Sequence, residues 1–349
     1  MKDVILGLVG VGRIGVMHAR NIAALSNVLN ARGVRVRLRL TDVAADHART
    51  VAAGLGAEFL PSVEALIGSG LDGLVIAAGT GTHPALITAG IDAGIPVFCE
   101  KPVALNVADS LPVLDSIRAR GGTVQIGHQR RFDAGYLEAK RAFDAGELGW
   151  IHSLRAVTCD MTPPAVGFLA ASGGLFRDCS VHDFDVLRWL TGREIVEVYA
   201  RGSNNGDPAI GAVGDVDTAL ALVTFDDGTL GTVSASRYNG AGHDVRLEIQ
   251  GSAGSLMVGL DEKSALASAE AGIGFPSGNS HKTFGERFEQ AYRSELQAFV
   301  ELIRGERENP CTAEDAVAAS RVADAAQESL ETGLPVRVAL AATSQENRS

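Results

Sequence analysis

At 349 residues, 46% of them hydrophobic and 21% charged, the chain is too long for one ordinary core and too apolar to be disordered. Its 31 basic and 42 acidic residues give a formal charge of −11, which excludes a broad attraction to nucleic acid or an anionic membrane but leaves room for one local phosphate site. The four cysteines, Cys99, Cys159, Cys179 and Cys311, form no CxxC pair and are too sparse for a disulfide framework. No apolar run reaches the roughly 18 residues of a membrane span, and the apolar start is too short for a secretory signal, so a cytoplasmic protein is expected.

Residues 4–9 read as a buried strand, 14–29 as a helix, 34–40 as a strand alternating apolar residues with Arg, and 44–54 as an Ala-rich helix. Further short strands are predicted at 73–78, 96–99 and 123–126, with helices at 84–93 and 107–119 between them. Such alternation predicts a parallel sheet with helices on both faces. From about residue 128 the pattern changes. Helices are predicted over 136–145 and 181–190, then strands at 196–202, 217–225, 230–237, 244–250 and 255–258. Asp226-Asp227-Gly228 and Gly251-Ser252-Ala253-Gly254 read as hairpin turns. Helical patterns over 286–304 and 312–331, a short apolar stretch at 335–338 and a polar tail from Ala342 complete the chain. The expected fold is α/β: an N-terminal Rossmann domain over 1–127, then an α+β domain over 128–340 with a largely antiparallel open sheet, and a cleft between them.

Gly10-Val11-Gly12-Arg13-Ile14-Gly15 matches GxGxxG directly after a predicted strand and at the start of a predicted helix. That context points to dinucleotide binding: the glycines permit the turn, the approach of a pyrophosphate and close helix packing. The helix N-terminus adds free N–H groups for the phosphates. Asp42 ends the second strand, where a carboxylate accepts the ribose hydroxyls and repels a 2′-phosphate; Val43 and Ala44 follow it, and no Arg. NAD is therefore expected over NADP. Asp42 also suits a helix N-cap, and the two roles are compatible.

Three downstream features carry chemistry. Glu100-Lys101-Pro102 follows a predicted strand at its carboxyl end, where open α/β sheets bind ligands. Lys101 there can polarise a substrate hydroxyl, although a Lys before Pro is also an ordinary solvated loop residue. Asp178 and His182 stand four apart and share a face if the segment is helical. Oxidising an alcohol requires removal of the O–H proton, a task suited to His near neutral pH. A helix cap and a structural His are the plain alternatives. No third ligand is spaced to complete a metal site, so no metal is expected. Finally, His128-Gln129-Arg130-Arg131-Phe132 follows the last Rossmann strand, where Arg130 could reach cofactor or substrate or pair with an acid.

Together these motifs resemble the glucose–fructose oxidoreductase / inositol dehydrogenase / rhizopine catabolism (Gfo/Idh/MocA) family over nearly the whole chain. The matching segments are Gly10 to Gly15, Thr80-Gly81-Thr82-His83, Glu100-Lys101-Pro102, Gln129 to Asp133, Gly173 to Asp185, and Glu286-Arg287-Phe288 through Tyr292 and Glu295. The order and spacing of the EKP and D-x3-H motifs are far more specific than the glycine loop. The resemblance implies that Lys101, Asp178 and His182 form the catalytic group. His182 would be general base, Lys101 would polarise the reacting oxygen and Asp178 would orient the ring. It gives the cofactor Gly10, Gly12, Arg13, Ile14, Gly15, Asp42, Thr80, Thr82, His83, Glu100, Lys101 and Arg130. It gives the substrate Lys101, Arg130, Asp160, Asp178, His182 and His243.

The activity implied is NAD-dependent oxidation of a secondary hydroxyl on a cyclic polyol or sugar, in a dimer or tetramer. Within the family the inositol 2-dehydrogenase branch is most similar. Where that branch tends to have YGYD, this chain has Ala241-Gly242-His243-Asp244, which replaces one Tyr by His243 and leaves more room at Ala241. Thr162-Pro163-Pro164-Ala165 adds a stiff loop. Two other readings are a sugar oxidoreductase with tightly bound NAD(P), and a dinucleotide-sensing module with no need of the Lys101, Asp178 and His182 set.

Overall fold

The computed structural model describes residues 2–340; the polar tail from Ala342 lies outside the described residues. The chain divides into two units. The first takes the chain through Phe132 and adds Gln290–Val317, and the second takes Asp133–Glu289 and the chain from Ala318.

In the first unit the order of elements is β1 (Lys2–Val9), α1 (Arg13–Leu29), β2 (Val34–Thr41), α2 (Ala45–Leu55), β3 (Glu58–Phe59), α3 (Val63–Ile67), β4 (Gly73–Ile76), α4 (His83–Asp92), β5 (Val97–Glu100), α5 (Val107–Arg120) and β6 (Val124–Gly127). The strands form a parallel sheet in the order β3-β2-β1-β4-β5-β6. The order reverses between β1 and β4, and the glycine loop leaves β1 at that switch point. Every residue of β4 and β6 is buried, as expected where helices cover both faces. Helix α1 turns Ala19, Ile22, Leu25 and Leu29, a helical stripe, into the core shared with Leu6, Leu8 and Leu38. The short β3 and α3 were not foreseen; their two and five residues are below what periodicity resolves.

A linear boundary after residue 127 misses a return of the chain. Leu296, Phe299 and Val300 join the core beneath α1, and Cys311, Ala313, Ala316 and Val317 join the core on the other side with Val97, Val113 and Ile126. The late helical pattern is split into α10 (Phe284–Arg287) and α11 (Glu289–Ile303), with α12 (Ala313–Thr332) after them. For clarity the helices between α5 and α10 are α6 (Ala134–Asp144), α7 (Val166–Ser172), α8 (Val181–Thr191) and α9 (Pro208–Ala212).

The second unit holds β7 (Ile151–Cys159), β8 (Ile195–Ser203), β9 (Thr218–Phe225), β10 (Leu230–Ser236), β11 (Asp244–Gly251), β12 (Ser255–Val258) and β13 (Val336–Arg337). They form one sheet in the order β12-β11-β7-β10-β9-β8-β13. Both foreseen hairpins form, β9–β10 and β11–β12. The sheet is nevertheless mixed, because β7 lies between β10 and β11, parallel to β10 and antiparallel to β11. The expectation of a largely antiparallel sheet came from reading consecutive strands as consecutive neighbours. Strand β7 was absent from that reading: its His, Ser, Arg and Thr blur the alternation. Among the described residues no helix is long and apolar enough to cross a membrane.

Candidate functional site

The glycine loop is built by contacts of different kinds. Gly10 adopts φ +93°, and a Cβ there would meet the Ala77 carbonyl oxygen at 2.7 Å. A Cβ on Gly15 would sit 2.0 Å from the Gly10 carbonyl oxygen. Packing therefore accounts for both. Gly12 is different: its φ is −66°, open to any residue, and a Cβ there would meet nothing within 4 Å. Nothing in the protein requires glycine at this N-cap of α1, whereas a phosphate against the backbone does. The first turn of α1 contains no acid and begins with the exposed Arg13; Ile14 is half-buried beside it.

Beside the loop lies a cavity of about 470 Å³ lined by Val11, Gly12, Arg13, Val16, Asp42, Ala44 and His47. Asp42 is fixed at its mouth by two backbone N–H donors, Val11 N at 2.7 Å and Ala44 N at 2.8 Å. A carboxylate has about four lone-pair sites, so acceptor capacity is left for two ribose hydroxyls. These residues fit a dinucleotide. His47, with Nε2 3.0 Å from the Val11 carbonyl oxygen, was missed by the sequence reading; a His in an Ala-rich helix gave no signal.

Thr80 and Thr82 form a short 3-10 turn after β4, and the Thr82 hydroxyl donates to the Gly79 carbonyl at 2.8 Å. His83 requires a correction. It was assigned to the cofactor, but its ring is buried between two backbone carbonyls, with Nδ1 2.8 Å from Pro102 O and Nε2 3.1 Å from Ala78 O. It ties the Thr turn to the EKP loop instead. Glu100 is engaged at Oε1 by His18 Nε2 at 2.5 Å. Lys101 follows it and is half-buried. Arg130 is buried in the turn Gln129–Phe132 that follows β6, close enough to Tyr292 for its charge to act on that phenol.

In the second unit, Asp178 sits in a π-helical turn, Phe176–Ser180, that runs directly into α8, whose first turn carries His182. π turns recur at functional sites because they re-aim side chains. The Asp178 carboxylate accepts a hydrogen bond from Arg237 Nη1 at 2.6 Å. Arg237 is fully buried, and its Nη2 faces Asp215 at 3.4 Å. Asp215 in turn accepts from Leu175 N at 2.9 Å, at the entry to the π turn. Burial pulls the guanidinium toward neutrality, but neighbouring Cys179, Asp178 and Asp215 outweigh that and hold it above its ordinary value. Asp160 lies 3.9 Å from Arg237 Nη1 and 3.3 Å from His243 Nδ1. Asp160, Asp178 and His243 thus belong to one cluster, gathered by an arginine that sequence reasoning missed. The buried His243 keeps its Nε2 without a hydrogen-bond partner.

The glycine loop and acid are of the kind used for dinucleotides. Known proteins agree. The Gfo/Idh/MocA models described as "Oxidoreductase family, NAD-binding Rossmann fold" and "Oxidoreductase family, C-terminal alpha/beta domain" match residues 4–128 and 140–338. The chain belongs to the Gfo/Idh/MocA oxidoreductase family. Among family members, it is 36% identical to scyllo-inositol 2-dehydrogenase (NAD(+)) of Bacillus subtilis, over 95% of each chain. Its fold matches that of a myo-inositol dehydrogenase from Corynebacterium glutamicum with a TM-score of 0.87 and 32% identity, covering 97% of this chain and 100% of that one. It also matches a scyllo-inositol dehydrogenase from Lactobacillus casei, solved with bound NAD(H) and scyllo-inositol, with a TM-score of 0.85 and 32% identity over 97% and 100% of the two chains. As a Gfo/Idh/MocA member the chain has an NAD-binding Rossmann domain.

Proposed function

We propose that the protein oxidises a secondary ring hydroxyl of an inositol-type polyol to the ketone, with NAD as cofactor. The observation that carries this is the Asp178 carboxylate held by buried Arg237, four residues before His182. The relatives named as inositol dehydrogenases support the substrate class, since they match across almost their full lengths. NAD, when bound, supplies the hydride acceptor. His182 takes the hydroxyl proton as general base. Lys101 donates to the reacting oxygen and stabilises negative charge there as the proton leaves. Asp178 accepts from a neighbouring ring hydroxyl and fixes which carbon reacts. Arg130, Asp160 and His243 contact other hydroxyls. Arg13, Ile14 and the glycines hold the pyrophosphate, Asp42 the ribose, and the Thr80–Thr82 turn the nicotinamide end.

The working form is a homo-oligomer. Tyr199, Leu220, Leu222 and Leu230 are exposed on one face of the second unit's sheet, where Tyr199 and Leu222 are register partners. Such an apolar strip favours a second copy of the chain. The test of function is NADH formation against inositol isomers, aldoses and glycosides, with NAD and with NADP. Turnover of inositols with NAD is expected. Turnover of aldoses alone would move the substrate out of the inositol class. His182→Ala should lose roughly 10²–10⁴-fold in turnover.

A further inference from the structure

Behind the EKP loop the first unit buries three ionisable side chains together. His18 of α1 is fully buried, Glu100 ends β5, and Glu295 of α11 is fully buried. Their ligating atoms lie within 4.8 Å of one another. His18 Nε2 is 2.5 Å from Glu100 Oε1. No hydrogen-bond donor reaches either carboxyl oxygen of Glu295, and His18 Nδ1 has no partner. Gly127, the register partner of Glu100, leaves room for this arrangement: a Cβ there would press to 3.3 Å on Glu100 Oε2. Edge contacts of the His18 ring with Phe98 and Tyr292 fix its plane.

A metal ion does not explain the trio. Two ligands on one ion, each about 2.0–2.2 Å from it in tetrahedral geometry, stand well over 3 Å apart. A 2.5 Å nitrogen–oxygen approach is that of a direct hydrogen bond. An ionised carboxylate with no partner in so dry a place would be very costly. Burial, and then the charge of Glu100, push the Glu295 carboxyl well above the usual carboxylate range. A neutral carboxylic acid brings an O–H donor, and Glu100 is a carboxylate within 4.8 Å of it.

We propose that Glu295 is a positioning residue for Lys101, acting through Glu100: its acid O–H and the His18 imidazole hold the Glu100 carboxylate from two sides and fix the end of β5 from which Lys101 follows. The inference rests on the reading of Lys101 as the group that polarises the reacting oxygen. Glu295→Gln keeps the shape, the neutrality and a donor. Glu295→Leu keeps the approximate size and removes the donor.

The test is steady-state kinetics of both variants, alone and combined with Glu100→Gln, alongside the infrared carbonyl band of a protonated carboxyl group at neutral pH. Turnover of Glu295→Gln should stay within about threefold, while that of Glu295→Leu should fall roughly ten- to a hundredfold, the scale of a misplaced catalytic group. The Leu effect should largely vanish on the Glu100→Gln background, because a residue acting through Glu100 is not additive with it. The infrared band should be present in the unsubstituted protein and lost in Glu295→Gln, a folded variant whatever the fate of Glu295→Leu. Equal losses in Gln and Leu, additivity with Glu100→Gln, an absent band, or a stoichiometric metal lost on Glu295→Gln would each overturn the proposal. Lys101→Met is read in the same assay: if it turns over normally, the assignment of Lys101 fails, while the infrared result still reports on Glu295.

Discussion

Arg237 Nη1 donates to Asp178 Oδ2 at 2.6 Å from a side chain that no solvent reaches. One buried cation thereby sets the orientation of a carboxylate assigned to the substrate. Arg237→Met removes the cation and leaves Asp178 and Asp215 facing each other without it. Breaking a buried ion pair in this way costs about 3–5 kcal/mol. Urea denaturation should show that loss, and the KM for the polyol should rise more than the KM for NAD. A variant of native stability would show that the charges are compensated by other means.

The glycines of the cofactor loop should separate experimentally. Gly12→Ala meets nothing in the protein, so its stability should change by less than about 1 kcal/mol while NAD affinity falls sharply. Gly15→Ala drives a Cβ into the Gly10 carbonyl and should cost about 1–3 kcal/mol before any ligand is added. Thermal melts with and without NAD distinguish the two. Full NAD binding by Gly12→Ala would remove the reason given for that glycine.

Asp42 should govern the choice between NAD and NADP. Asp42→Ser with Val43→Arg replaces the ribose acceptor by a neutral hydroxyl and adds a cation for a 2′-phosphate. Preference for NAD, as the ratio of kcat/KM values, should drop by about ten- to a hundredfold, the worth of one charge-assisted hydrogen bond. An unchanged ratio would confine Asp42 to holding Val11 N and Ala44 N.

Glu295 also predicts a pH dependence of stability. Its folded pKa lies well above the ordinary 4.5 of a glutamate, first through burial and then through Glu100. Between those two values the folded protein binds more protons than the unfolded chain, so stability falls as pH rises. The contribution is fully present below about 4.5 and lost through the raised value. Glu295→Gln lacks this term. Its stability relative to the unsubstituted protein should therefore improve as pH rises above about 4.5 in urea titrations. A pH-independent difference would mean that Glu295 is not protonated in the fold.

The parts legible in the sequence are those written locally. Gly10 to Gly15 after an apolar strand, Asp42 at the next strand end, and the two hairpin turns all state their structure within a few residues. The parts missed depend on distant partners. Strand β7 carries polar residues along a blurred pattern, and only its neighbours β10 and β11 make it central. An Arg just after β10 ordinarily reads as a solvated residue, and only three carboxylates from other segments make Arg237 a buried anchor. His83 shows the complementary case: the carbonyls that its ring nitrogens face, Ala78 and Pro102, could not be anticipated from the motif around it.

The return of Gln290–Val317 to the first unit bears on how the chain matures on the ribosome. Domains emerging early in synthesis can fold while the rest is still being made. Here the sheet that carries the cofactor loop is finished early, yet Leu296, Phe299 and Val300 of its core arrive only after the Asp133–Glu289 part of the second unit has been translated. Until then an apolar flank of the nascent sheet stays uncovered, so a message truncated after Phe132 should yield a sticky, chaperone-dependent fragment rather than a free-standing nucleotide-binding module.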